Sequence, residues 1–130
     1  MKDVERQKGL GKARILVVED EAFIAAMLAD MLEELGYDVA ASVSHIAQAK
    51  DFLAAETVDA ALLDVNLGVE KIDPVADLLA ERACPFIFTT GYGKSGVPAA
   101  HAGRAVLQKP FHIADLAAAL RKELGTAESS

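Results

Sequence analysis

The sequence has few of the residues that mark secreted, membrane or zinc-binding proteins. It contains one cysteine in 130 residues, which excludes an internal disulfide and fits a reducing compartment. No apolar run approaches the ~20 residues that cross a bilayer. The N-terminus has no apolar region typical of a signal peptide, and no Cys/His group has zinc-ligand spacing. We therefore expect a cytoplasmic protein that does not bind membranes.

Positive charge is scarce outside the first thirteen positions. Residues 1–13 carry four basic and two acidic side chains, so a total net charge of −7 leaves −9 on residues 14–130. An acidic body repels phosphate backbones, and we expect no nucleic-acid partner. We predict a flexible basic leader over residues 1–13, one folded domain over 14–124, and a frayed tail over 125–130.

Five short apolar runs alternate with helical patterns through the predicted domain. The runs predict buried strands at residues 14–18, 37–43, 59–63, 85–90 and 105–108. The clearest helical stripe extends from Phe23 to Leu35 and ends at Gly36, and Ser44 is a candidate N-cap for the next helix. Segment 91–103 has four glycines and one proline, so its helix should be short or marginal. The alternation predicts an α/β fold, a doubly wound parallel five-stranded sheet.

Polar residues follow four of the predicted strands. Open α/β sheets bind ligands where the carboxyl ends of the strands meet, so we expect one site containing Glu19, Asp20, Asp64, Thr90 and Lys109. Taken singly, each of these residues also fits a turn or a surface position. Clustered carboxylates favour a hard divalent cation such as Mg²⁺. A carboxylate can also accept a phosphoryl group, whose oxygens an ammonium and a hydroxyl would then bind.

Four motifs give the chain a resemblance to a known family. They are Ile15–Glu21 (ILVVEDE), Leu62–Asn66 (LLDVN), Thr89–Gly91 (TTG) and Lys109–Phe111 (KPF). Together they resemble the receiver domain of two-component response regulators, over about residues 13–124. The resemblance implies a (βα)5, flavodoxin-like fold with strand order 2-1-3-4-5.

The same resemblance implies roles for individual residues. Asp64 resembles the phosphoacceptor. Asp20 and Asp64 resemble Mg²⁺ ligands through their side chains and Asn66 through its backbone carbonyl, while Glu19 would reach the metal through water. Thr90 and Lys109 resemble the pair that binds the phosphoryl group, and the family's peptide bond before the proline equivalent to Pro110 is usually cis.

Two departures from the family pattern concern the switch. The acceptor is followed by Leu67–Lys71 (LGVEK) in place of a Met-Pro-Gly-like turn, and Val106 replaces the usual aromatic of the fifth strand. The segment Phe88–Gly93 (FTTGYG) instead resembles the FAT GUY subclass of receivers, which are often stand-alone or kinase-linked. We therefore expect Tyr92 to act with Thr90 and Lys109 as the switch, through ordering of segment 91–103.

Three functions fit these motifs. The favoured one is a single-domain response regulator, phosphorylated on Asp64 by a histidine kinase or histidine phosphotransfer protein. It would not be an enzyme, although it assists its own phosphorylation and dephosphorylation, and because the chain ends at the receiver it would signal through a downstream protein. A docking-only pseudo-receiver is the alternative. A haloacid-dehalogenase-like phosphotransferase is disfavoured, because that class has Asp where this chain has Asn66 and needs room for a cap.

The remaining residues with reactive side chains have structural interpretations. We expect His45, His101 and His112 to be surface or capping residues. We expect Cys84 to be a small buried apolar residue that takes no part in chemistry.

Overall fold

A five-stranded parallel sheet organises the chain. The computed structural model describes residues 12–91 and 96–129, with side chains described up to residue 124. The strand order is β2-β1-β3-β4-β5, which confirms the predicted α/β fold and its flavodoxin-like topology. The strands are β1 (Arg14–Val18), β2 (Asp38–Val43), β3 (Ala60–Asp64), β4 (Phe86–Thr90) and β5 (Val106–Gln108).

Within the described residues, four α-helices cover the two faces of this sheet. They are α1 (Ala22–Glu34), α2 (Ile46–Ala55), α3 (Asp73–Glu81) and α4 (Ile113–Ser129). Within β1, Leu16 and Val18 pack with residues of α2 and α3, whereas Ile15 and Val17 pack with residues of α1 and α4. This alternation follows from the two-residue period of a strand, and it buries both faces of the sheet.

Helix boundaries differ from the predictions at three places. Between β4 and β5, the described residues contain a single 3₁₀ turn, Ala99–His101. The helix predicted in this segment is therefore reduced to one turn in the described residues. Helix α2 begins after His45, not after Ser44, because the Gln48 side chain accepts the backbone N–H groups of both. Helix α4 continues to Ser129, beyond the predicted end of the domain at Leu124, since one glycine weakens a helix without ending it.

His101 is buried, so the prediction of a surface or capping role is wrong for this residue. Its Nε2 lies 2.8 Å from Asp77 Oδ1 on α3, and its ring packs against Phe86 and Phe88 of β4 at centroid distances of 5.5 and 6.4 Å. The pair joins the 3₁₀ turn to α3, in the segment where a short or marginal helix was expected. Asp77 precedes His101 by 24 residues, and sequence spacing does not reveal such a contact.

Cys84 lies half-buried against the α2 and α3 side of the core. Burial, together with the negative charge of Asp59, raises the pKa of its thiol to about 11. A thiol with that pKa is protonated near neutral pH and is a poor nucleophile; that Cys84 takes no part in chemistry stays a prediction. Among the helices of the described residues, none is long and apolar enough to cross a membrane.

Candidate functional site

Asp64 occupies the centre of the candidate site, at the last position of β3. All five residues of this strand are buried, and Asp64 itself is 2% exposed. Its Oδ1 accepts the backbone N–H of Asn66 at 2.9 Å, while its Oδ2 lies 3.3 Å from the Lys109 ammonium. Both carboxylate oxygens therefore have a donor, which compensates for their burial.

Glu19 and Asp20, directly after β1, bring two further carboxyl groups to the same edge of the sheet. One oxygen each of Glu19, Asp20 and Asp64 lie within 4.8 Å of one another. Glu19 is buried and Asp20 is exposed. Glu19 Oε1 accepts from Lys109 Nζ at 2.8 Å and its Oε2 accepts the Glu21 N–H at 3.0 Å, so Glu19 is the closer of the two carboxylate partners of this lysine.

Lys109 is the residue directly after β5, and its side chain extends to the carboxylate cluster. The Lys109–Pro110 peptide bond is cis, as the family resemblance implies, and the Lys109 N–H donates to the Thr90 carbonyl at 2.7 Å. Thr90 is fully buried at the end of β4. The structure thus brings Glu19, Asp20, Asp64, Thr90 and Lys109 to one edge of the sheet.

The burial of opposite charges dominates the electrostatics of the site. Burial raises the pKa of the Glu19 carboxyl above its ordinary 4.5, and the charge of Asp64 adds to this, although hydrogen bonds from Lys109 and the Glu21 N–H oppose it. Burial by itself lowers the pKa of Lys109, but the hydrogen bond to Glu19 and the charge of Asp64 outweigh it, so the pKa lies above 10.5. Lys109 is therefore a fixed cation between two carboxyl groups at neutral pH.

The donor set fits a magnesium ion. Three carboxyl groups with oxygens within 4.8 Å of one another are the hard oxygen ligands that Mg²⁺ prefers. Asn66, whose carbonyl is the fourth predicted ligand, follows Asp64 by two residues and is exposed. The remaining predicted switch residue, Tyr92, lies outside the described residues, and its role stays a prediction.

One feature beside the site was not predicted as a functional surface. Phe23 belongs to the apolar stripe of α1, yet it is 80% exposed. The buried residues of α1 are Leu28 and Leu32 in its later turns. Phe23 lines a groove of about 410 Å³ together with Glu21, Ile24, Met27, Lys109, Pro110 and Phe111. Lys109 lines this groove and also contacts Glu19 and Asp64. The groove therefore adjoins the carboxylate cluster.

A doubly wound parallel sheet with buried carboxyl groups and a lysine at its carboxyl edge is a flavodoxin-like α/β domain with a candidate ligand site at that edge. The chain belongs, within that class, to the family of response regulator receiver domains, whose model matches residues 15–121.

Individual relatives support this assignment. The solution structure of SdrG from Sphingomonas melonis Fr1 is similar, with 45% identity and a TM-score of 0.78, over 87% of this chain and 97% of SdrG. This likeness is consistent with the resemblance of Phe88–Gly93 (FTTGYG) to the FAT GUY subclass of receivers. The transcriptional regulatory protein PdtaR of Mycobacterium tuberculosis is 32% identical over 111 residues, 82% of this chain and 54% of PdtaR. This chain therefore spans about half the length of the curated relatives it matches first.

A further relative carries a metal. The receiver domain of the sensor histidine kinase PA1611 from Pseudomonas aeruginosa PAO1 is 30% identical, with a TM-score of 0.76, over 88% of this chain and 98% of that domain. Its crystal structure has a magnesium ion coordinated in the active-site cleft.

Proposed function

We propose that this chain acts in a two-component phosphorelay, accepting a phosphoryl group on Asp64 from a histidine kinase or histidine phosphotransfer protein. The observation that carries the proposal is the buried Asp64 carboxylate with the Lys109 ammonium 3.3 Å away, at an edge shared with Glu19 and Asp20. The phosphorylated form would signal by contact with a downstream protein, and the reducing compartment that fits a single free cysteine would be the cytoplasm.

The proposed reaction is an in-line phosphoryl transfer. An Asp64 oxygen forms a bond to phosphorus while the bond from phosphorus to the donor's imidazole nitrogen breaks, and that nitrogen keeps the electron pair. The product carries more negative charge at a buried position. Lys109 is held where its ammonium offsets that charge, and Thr90 would donate its hydroxyl to a phosphoryl oxygen.

Asp20, Asp64 and the Asn66 carbonyl would hold Mg²⁺, with Glu19 contributing through water. When bound, Mg²⁺ supplies positive charge that offsets the repulsion between the carboxylates and the incoming phosphoryl oxygens. The acidic cluster and the magnesium ion of the PA1611 receiver support this part of the proposal.

The test of this function is labelling by a small phosphodonor. Incubation with Mg²⁺ and acetyl phosphate or phosphoramidate is expected to add one phosphoryl group per chain, measured as intact mass, and to lose it at alkaline pH as an acyl phosphate does. When Mg²⁺ is left out and EDTA is added to remove traces of it, labelling is expected to fall to background. A protein that is never labelled would instead be the docking-only pseudo-receiver, and sustained turnover of phosphate esters would favour the haloacid-dehalogenase-like alternative.

The groove at the start of α1 is the proposed docking surface for the protein donor. A donor imidazole has to approach Asp64 to bonding distance, so the surface of the donor must cover the neighbouring edge of the sheet. The exposed Phe23 ring beside Pro110 and Phe111 offers apolar area there. An exposed aromatic residue next to a reactive group is a typical anchor for a protein partner.

Phe23→Ala is expected to separate docking from chemistry. Transfer from phosphorylated histidine kinases or phosphotransfer proteins of the same genome should slow by about 10-fold or more, because truncation of an aromatic anchor costs about 2 kcal/mol. Labelling by acetyl phosphate should keep its wild-type rate, since Phe23 is an exposed apolar residue and is not one of the carboxylates of the cluster. Val69→Ala, which truncates a fully exposed side chain of the β3–α3 loop, serves as the comparison. Equal transfer rates for wild type and Phe23→Ala would show that the groove is not the docking surface.

A further inference from the structure

The loop between β3 and α3 carries Asn66, and the structure shows how this loop is fixed. The Asn66 N–H donates to Asp64 Oδ1, and the buried side chains of Leu67 and Ile72, 5% and 1% exposed, anchor the loop in the core. Between these two anchors the chain makes a turn at Gly68 (φ +68°), closed by the Glu70 N–H, which donates to the Leu67 carbonyl at 3.2 Å. Between the anchors, Gly68 and Val69 are exposed.

Glu70 makes a contact to a different part of the chain. Its Oε1 accepts the backbone N–H of Ile46 at 3.1 Å, and Ile46 is the first residue of α2. The first N–H groups of a helix have no partner within the helix, and a carboxylate is favoured there by the helix dipole. His45 Nδ1 lies 3.8 Å from the same oxygen. One side chain thus ties the loop after the phosphoacceptor to the start of α2.

Gln48 also accepts backbone N–H groups at the start of α2, and it can be compared with Glu70. Gln48 Oε1 accepts the N–H groups of Ser44 and His45 at 3.0 and 3.2 Å. Gln48 lies within α2 and makes a local contact, whereas Glu70 bridges 24 residues of sequence. We therefore expect loss of either side chain to weaken the start of α2, and loss of Glu70 alone to release the loop as well.

We propose that Glu70 is a positioning residue for the cation site: by holding the β3–α3 loop against α2, it fixes the Asn66 carbonyl in the position needed to bind Mg²⁺. This inference rests on the proposed function, which makes that carbonyl a ligand. Glu70 acts through the backbone of the loop and does not itself contact the cation. The sequence LGVEK, which replaces the family's usual turn, supplies this tether in place of a proline-stiffened loop.

Magnesium affinity of the full chain tests the inference, measured by amide chemical shifts or calorimetry for wild type and four variants. Glu70→Ala is expected to weaken Mg²⁺ binding by about 10-fold, the effect typical of groups that orient metal ligands, and to speed hydrogen exchange at residues 67–71. Glu70→Gln removes the same charge but keeps an oxygen acceptor, so it is expected to recover most of the affinity. Gln48→Ala is expected to bind Mg²⁺ as wild type does.

The outcomes distinguish an error in this inference from an error in the cation site. Asp20→Ala removes a proposed ligand and is expected to abolish the Mg²⁺ response; if it binds as well as wild type, the site itself is wrong and the role of Glu70 falls with it. If Asp20→Ala loses the response while Glu70→Ala keeps wild-type affinity, the role of Glu70 alone is wrong. Equal losses in Glu70→Ala and Gln48→Ala would assign the effect to the stability of α2, and equal losses in Glu70→Ala and Glu70→Gln would assign it to charge; either result overturns the positioning role.

Discussion

Asp64→Asn is expected to abolish phosphorylation by acetyl phosphate and by protein donors. The amide keeps the size of the side chain and an oxygen that accepts the Asn66 N–H, and Lys109 keeps its closer partner Glu19 although its contact with Oδ2 is lost, so the fold should persist. It lacks the carboxylate oxygen that forms the bond to phosphorus. Labelling measured as intact mass should therefore fall to background, while the far-UV spectrum and the thermal unfolding transition remain those of a folded domain.

A matched control for this variant is Asp30→Asn, on the exposed face of α1. It makes the same chemical change far from the carboxyl edge of the sheet and is expected to leave labelling intact. If Asp64→Asn is labelled as fully as wild type, a different carboxylate accepts the phosphoryl group, and the exposed Asp20 is then the first candidate to examine.

Lys109→Ala is expected to lower the free energy of unfolding by about 3–5 kcal/mol, measured in urea without divalent cations. The Lys109 ammonium lies between Glu19 and Asp64, whose side chains are 1% and 2% exposed. Removing one partner of a buried ion pair leaves an uncompensated buried charge, which costs this much, and here two carboxyl groups lose the same partner. Lys122→Ala, at an exposed position of α4, removes the same charge and is expected to change stability by less than about 0.5 kcal/mol.

Acid should partly restore the Lys109→Ala variant. Burial already raises the pKa of Glu19 above 4.5 in the folded protein, and loss of the Lys109 hydrogen bond raises it further. The folded variant then binds a proton more tightly than the unfolded chain, so its stability rises as the pH falls through that raised pKa toward 4.5. A Lys109→Ala variant that loses less than about 1 kcal/mol, the range of exposed ion pairs, would contradict the buried arrangement.

The residues of the site follow from sequence because strand ends can be located from it. The apolar runs before Glu19 and Asp64 stop abruptly at acidic residues, and all strands of a parallel sheet end at the same edge. That geometry brings Glu19, Asp20, Asp64, Thr90 and Lys109 together without knowledge of any side-chain contact. The strand order came from the family resemblance and not from periodicity, and the structure agrees with it.

Phe23 and His101 were misjudged because burial depends on which elements lie opposite a residue. The stripe from Phe23 to Leu35 has the correct period for a buried helix face, but Phe23 is 80% exposed, and the buried residues of α1 are Leu28 and Leu32 in its later turns. His101 lies in a glycine-rich segment that favours exposure, yet Phe86, Phe88 and Asp77 surround it. Its partners belong to β4 and α3, and local sequence carries no information about them.

The sequence by itself determined the sheet, its direction and the identity of the residues at its carboxyl edge, because these depend on short-range patterns of apolar and polar residues. Tertiary structure decided which partners those residues have. Lys109 lies closer to Glu19 than to Asp64, and Glu70 binds the start of α2. Such choices depend on distances of a few tenths of an ångström between side chains from separate elements, and these distances are set by the packing of the whole domain.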